Sequence, residues 1–241
     1  MSQEAATRDG QNVALVHEQL RTAILAGDIP PGQATSQIVL ARELGVGRTP
    51  LREALRMLQH EGLVVSQPNR RVRIAELSVV DMEELYVIRI SLEAVAARIT
   101  VPTLTAEDHA ELEGLMARMD HLAESISPAL NAAHRDFHAR FVAGAGERPA
   151  VMIGQLFDHA ERYRRAYVGS VPGHWSQRRN EHRRMVDAAI AGDGDATAEA
   201  IAAHYVRTAK IVAKALDPEY RLDRLRTTVA TVAPGALSEL D

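Results

Sequence analysis

The four-residue break Gly45-Val46-Gly47-Arg48, set between two short amphipathic segments, limits the folds open to this chain more than any other feature. Ahead of it, Ile38, Leu40, Ala41 and Leu44 supply the inward positions of a short helix that Thr35 or Ser36 can cap and Gly45 ends. Behind it, Thr49 has the chemistry of an N-cap and Pro50 that of a first helical residue, which predicts a helix from residue 50. That helix carries Leu51, Ala54, Leu55 and Leu58 on one side and Arg48, Arg52 and Arg56, four apart, on another. An earlier helix is marked by Val13, Val16, Leu20 and Ile24 and closed at Gly27. After Gly62, Leu63-Val64-Val65 reads as a strand, Gln67-Pro68-Asn69-Arg70 as a turn and Val72-Arg73-Ile74 as the return strand. Three helices plus a β-hairpin wing within residues 11–77 make a winged helix-turn-helix, with residues 1–10 as a flexible polar arm.

From residue 78 the pattern changes to long Ala-rich amphipathic helices, expected over 79–100, 105–124, 128–145, 149–168, 175–191 and 195–216. Val101-Pro102, Ser127-Pro128, Arg148-Pro149, Val171-Pro172 and Gly192-Asp193-Gly194-Asp195 mark the breaks. The fold class is therefore mainly α. An all-α bundle of six or seven helices follows the winged helix-turn-helix over 78–216, and 217–241 forms a fraying C-terminal tail.

The formal charge of −4 gives no overall sign of a nucleic-acid partner, so a DNA surface has to be local. Residues 36–75 provide one, with seven Arg against three Glu. The absence of cysteine excludes disulfides and thiolate metal sites. No stretch approaches the ~18 consecutive apolar residues of a membrane span, and a cytoplasmic protein is expected, with no membrane partner.

The segment GVGRTPLREALRMLQHEGLVVSQPNRRVRIAELS, residues 45–78, resembles the GntR family of transcriptional regulators, and the resemblance runs back through AGDIPPG at 26–32. In that family the start of the third helix enters the major groove of double-stranded operator DNA. The resemblance thus implies Arg48, Thr49 and Arg52 as groove and phosphate contacts, with Arg70 and Arg71 on the wing. The chemistry agrees, because a helix N-terminus favours phosphate and a guanidinium can grip guanine O6 and N7 together. An ordinary solvated helix face is the plainer reading of three arginines. Two positions depart from the family pattern: Gly47 stands where Ser is usual, and Arg71 stands near a wing tip where Gly is usual.

In the second half, His134 and His138 lie four apart on one predicted helix, while His182 and His204 fall on two later ones. Such helices can converge on a polar centre where neutral imidazoles suit a divalent metal; scattered surface or core histidines are the alternative. Residues 80–216 resemble the FCD ligand-binding domain of the FadR-type branch of the family, in LYVIRISLEAVAA at 85–97, DFH at 136–138, EHRRMVDAAIAGD at 181–193 and His204. The resemblance implies a metal held by His134, His138, His182 and His204, with His134 replacing the family's Asp or Asn. Four neutral imidazoles leave the ion's charge uncompensated, which favours an anionic ligand, and nitrogen donors favour zinc or nickel, or copper, over manganese or magnesium. The opposite reading is a site that has lost its metal and uses the histidines on the effector directly.

Arg89 and Glu93 can form an ion pair one turn apart; the resemblance instead implies that Arg89 faces the cavity and holds an effector carboxylate. The charged run Arg162 to Arg165 reads as a solvated face, with one member free to line a pocket. Together these implications describe a ligand-responsive regulator, read as a repressor, that binds a pseudo-palindromic operator as a homodimer and is released by a small carboxylate. A metal-ion sensor is the near alternative. A metal-dependent hydrolase is the distant one, because Asp136 and Glu181 point away from their neighbouring histidines and no general base is placed.

Overall fold

The computed structural model describes residues 3–67, 71–123, 127–168 and 174–241. The chain divides into two compact units, Met1–Leu77 and Ser78–Asp241. Among the described residues, no helix is long and apolar enough to cross a membrane.

In the first unit α1 (Gln3–Ala26) leads through a turn to β1 (Ala34–Ser36), then α2 (Gln37–Glu43), α3 (Arg48–His60), β2 (Val64–Gln67) and β3 (Arg71–Ile74). Val16, Leu20 and Ile24 of α1 meet Leu51, Ala54, Leu55 and Leu58 of α3, and Leu63, Val64, Val72 and Ile74 close the core from the sheet. The segment expected to be a loose arm is helical from Gln3; Gln3, Glu4, Ala5 and Ala6 are good helix formers, and propensity extends the helix backwards.

The wing is larger than a hairpin. Ala34, Thr35 and Ser36 add a third strand, pairing antiparallel with Arg73, Val72 and Arg71 so that β3 lies between β1 and β2. Ser36 then caps α2, its hydroxyl accepting the Val39 N–H at 3.2 Å. Pro68, Asn69 and Arg70, the expected turn and one expected wing contact, lie outside the described residues.

Two local expectations are corrected at the break. Gly47, not Thr49, caps α3, so Thr49 and Pro50 fall inside the first turn, where a proline removes an N–H that has no helical partner. Gly45 adopts φ +64°, the left-handed conformation that ends α2. Ile38 is exposed, not buried: two residues before Leu40, it projects from the opposite side of a seven-residue helix.

The second unit is helical throughout its described residues: α4 (Val79–Thr100), α5 (Ala106–Leu122), α6 (Pro128–Arg140), α7 (Glu147–Tyr163), α8 (His174–Ile190), α9 (Gly194–Leu216) and α10 (Asp223–Val232). Prolines and caps place the boundaries. Ser78, Thr105 and Ser127 each cap the helix that follows, and Pro128 occupies the first turn of α6. Helix α4 runs through the centre, against α9, α7 and α10. Its contact with α9 is close at Gly194, where an added Cβ would lie 3.0 Å from the Arg98 Cα. Beyond Tyr163, residues Arg164–Val168 continue as one π-helical turn.

The region after residue 216 does not fray. Leu225, Val229, Ala233 and Ala236 are buried, and the Glu83 carboxylate of α4 accepts the Arg224 and Leu225 N–H groups at 2.9 and 3.1 Å. The i, i+4 pair Leu225 and Val229, followed by two small residues, gives this tail the apolar face it docks with.

Candidate functional site

Helices α6, α8 and α9 deliver His134 and His138, His182 and His204 to one place. All four side chains are buried, and one ring nitrogen from each falls within a set no wider than 4.8 Å. Two imidazole nitrogens bound across one ion would stand up to ~4.2 Å apart at ~2.1 Å each, so the set needs only a small contraction to close on a metal. Burial, reinforced by the neighbouring histidines and arginines, drives the pKa values of His134, His138 and His182 well below the usual histidine value. Burial also takes His204 down to about 4, against the pull of Glu181. The cluster is therefore neutral near pH 7, the state in which imidazole lone pairs can ligate.

The outer nitrogens are oriented. Nδ1 of His204 lies 2.6 Å from Glu181 Oε2, and Arg207 Nη1 lies 2.9 Å from the other oxygen of that carboxylate. Burial raises the Glu181 pKa, but the bonds from His204 and Arg207 outweigh it and the carboxyl stays below its ordinary value. Glu181 thus diverges from His182, as expected, yet reaches His204 across the helix pair. It serves as a hydrogen-bond acceptor that orients that ring.

His138 Nδ1 lies 3.1 Å from the Tyr205 hydroxyl, which itself donates to Glu93 and accepts from Arg89 Nη2 at 2.6 Å. With the Tyr205 proton given to Glu93, His138 is the donor and its Nε2 faces the cluster. Among the described residues, His134 Nδ1 is buried without a hydrogen-bond partner. Neutral rings, converging donors, oriented outer nitrogens and one orphaned buried nitrogen all fit a divalent ion.

Beside the cluster is a narrow cavity with room for about one water molecule, bordered by Arg89, His134, Glu161, Arg164, Arg178 and His204 among others. Arg89 pairs with Glu93 at 2.9 Å and also lines the cavity. The charged run on α7 is corrected, because Glu161, Arg162 and Arg164 are buried, with Arg164 Nε 2.6 Å from Glu161 Oε2 and a further bond to Asn131. Arg178, which sequence reasoning passed over, lies four residues before His182 on the same face of α8; that spacing was the available signal.

In the other unit, Arg48, Thr49 and Arg52 are exposed at the start of α3, and Arg52 makes only a loose 3.3 Å contact with Glu53. With Gln37 and Ile38 they border a cleft of about 410 Å³. Arg71 opens β3 opposite Gln67 and is exposed.

Comparison with known proteins agrees with both units. Residues 13–74 match the model for bacterial regulatory proteins of the gntR family, and residues 84–207 match the FCD domain. An uncharacterized HTH-type transcriptional regulator in the TAR-I ttuE-ttuC' intergenic region of Agrobacterium vitis is 35% identical over 140 residues, covering 56% of this chain and 81% of that protein. The HTH-type transcriptional repressor GlaR of Escherichia coli is 25% identical over 207 residues, covering 82% of this chain and 94% of its own. The structure of E. coli McbR/YncC superposes with a TM-score of 0.73 at 22% identity, covering 85% of this chain and 98% of that one, a likeness of fold. The chain belongs to the GntR family of bacterial DNA-binding transcriptional regulators, in the branch that joins the winged helix to an FCD domain.

Proposed function

We propose that this regulator is a cytoplasmic repressor that binds a pseudo-palindromic operator as a homodimer and releases it when a small carboxylate enters a metal-containing cavity in the FCD domain. The observation that carries this reading is the convergence of His134, His138, His182 and His204, neutral and buried, beside a cavity lined by guanidinium groups. These four side chains would hold zinc or nickel, the ions that nitrogen donors favour. A bound ion would supply a positive, Lewis-acidic centre for a carboxylate oxygen. Arg89, held by Glu93 and Tyr205, presents its guanidinium to the same space.

On the DNA side, Arg48, Thr49 and Arg52 would meet the major groove and its phosphates from the start of α3, and Arg70 and Arg71 would reach from the wing. A second copy has a surface available. Ile88, Val95 and Ile99 stand about half exposed on α4 with Leu92 between them, at the seven-residue spacing of a helix-pairing seam. Glu84 lies toward one end of this stripe and Arg98 toward the other, so an antiparallel two-fold pairing sets opposite charges together. Ligand and operator then bind with reciprocal coupling.

The test is the metal content of tag-free protein by elemental mass spectrometry, beside a His138→Ala, His182→Ala double variant. About one equivalent of zinc or nickel is expected in the wild type and little in the variant. No metal in either, after reconstitution, refutes the metal site and leaves the histidines as direct effector contacts. Operator release by the ion alone would make the protein a metal sensor.

A further inference from the structure

The cleft at the start of α3 has an apolar wall. Arg48, Thr49 and Arg52 border it from α3, and Gln37 and Ile38 border it from the first turn of α2. Leu51 also reaches it but is 1% exposed and belongs to the core, whereas Ile38 is 64% exposed. A single isoleucine at a surface means little by itself. Its place is what matters here, because it shares one small cleft with two guanidinium groups and a hydroxyl.

Nothing in the fold asks for an apolar group at this position. Buried Leu40 holds α2 against the core, and Ile38, two residues earlier, projects the other way. The turn that carries Ile38 is secured by the Ser36 hydroxyl, which accepts the Val39 N–H at 3.2 Å. A polar side chain would serve this exposed helix start equally well. The isoleucine therefore has its use outside the subunit, on whatever enters the cleft.

The major groove offers one apolar group on its floor, the thymine C5-methyl; the remaining base edges are hydrogen-bond donors and acceptors. We propose that Ile38 reads a thymine, its side chain packing on that methyl while Arg48 and Arg52 engage neighbouring bases or phosphates. This deepens the reading of α3 as the helix that enters the groove and rests on it. Discrimination has a repulsive side as well, since isoleucine laid on a cytosine amine or a guanine carbonyl strips water and returns no bond. Gln37, on the same cleft, carries the amide that pairs with adenine N6 and N7. Both residues of this turn thus favour an A·T pair.

The test begins with selection of operator duplexes from a random library by the full-length protein. Each thymine of the selected site is then replaced singly by deoxyuridine, which removes the methyl and nothing else, and affinity is measured by fluorescence anisotropy. One thymine in each half-site is expected to lose about fourfold on replacement, the worth of one buried methyl. Ile38→Ala should bind the thymine and uracil duplexes alike at that position, with its melting unchanged. Thr49→Ser, which removes the other methyl at the cleft, should keep the difference. A wild type indifferent to every replacement, a methyl preference that survives in Ile38→Ala, or a library that enriches no sequence overturns the proposal. If Arg52→Ala binds as the wild type does, the assignment of α3 fails by itself, and the uracil comparison still decides whether Ile38 touches a base.

Discussion

Nδ1 of His204 and Oε2 of Glu181 stand 2.6 Å apart, and this contact joins α8 to α9 at the point where both helices face the histidine cluster. A carboxylate behind an imidazole fixes the tautomer, leaves the inner nitrogen free as a lone pair and raises its basicity. Replacement by Glu181→Gln keeps the size but can present an amide N–H where an acceptor is needed. Metal affinity is expected to fall ~10–100-fold, with the helical circular dichroism unchanged. Competition against a coloured chelator measures this, and undiminished affinity would remove Glu181 from the site.

Removal of the Arg52 guanidinium is expected to separate DNA reading from folding. Its side chain is exposed on α3 and carries no core contact, so Arg52→Ala should melt as the wild type does. Operator affinity is expected to drop by about 1–3 kcal/mol, roughly 5- to 150-fold, if the guanidinium grips a base pair. Fluorescence anisotropy across a salt series also sorts the contact type, because loss of a phosphate contact lowers the salt slope by about one. Wild-type affinity in this variant would sink the assignment of α3 as the reading helix.

Tyr163 makes a different kind of contact. Its hydroxyl donates to Asp81 and accepts the Ser78 N–H at 3.3 Å, securing the first turn of α4, while the next residue, Arg164, borders the cavity. Tyr163→Phe removes both bonds from a part-buried position whose partners can still reach water, with a predicted cost of about 0.5–1.5 kcal/mol and a fall in Tm of a few degrees by calorimetry. The variant should bind ligand yet show a smaller ligand-induced change in operator affinity. An unchanged response would show that the start of α4 takes no part in coupling.

The stripe on α4 predicts the effect of a charge placed in it. Val95→Glu with Ile99→Glu puts two like charges at the proposed seam and, by symmetry, four in the dimer. Sedimentation at micromolar concentration is expected to find monomer, with helical content preserved because neither side chain is buried within the subunit. A persistent dimer would place the interface elsewhere.

Helix boundaries in the second unit were legible because Pro102, Pro128 and the caps at Ser78, Thr105 and Ser127 act locally, and α4 spans the expected 79–100. Features that depend on tertiary contact were not. Ile38 looks like a core residue until the short helix α2 turns it outward. The strand Ala34–Ser36 exists only because β3 is there to pair with it.

The site divides along the same line. His134 and His138 share a helix face by spacing alone, but His182 and His204 join them through packing that no local pattern encodes. Arg162 and Arg164 sit in a charged run that ordinarily faces water; Glu161 and Asn131, together with burial in the bundle, reverse that expectation for Arg164. Arg178 carried a usable signal in its distance from His182, and Glu181 carried none.

The Glu83 carboxylate has a further consequence for where this protein can be cut. It is 1% exposed, and its oxygens receive the Tyr220 hydroxyl and the backbone of Arg224 and Leu225, all supplied from beyond residue 216. A fragment that stops with α9 would strand an anion inside α4 and open the groove that Leu225 and Val229 fill. The same stretch supplies Glu239, whose 2.6 Å bond to Arg207 continues through Glu181 to His204. A fragment of the second unit therefore needs the stretch through Glu239, and a deletion made to trim a supposed tail would be felt at the histidines.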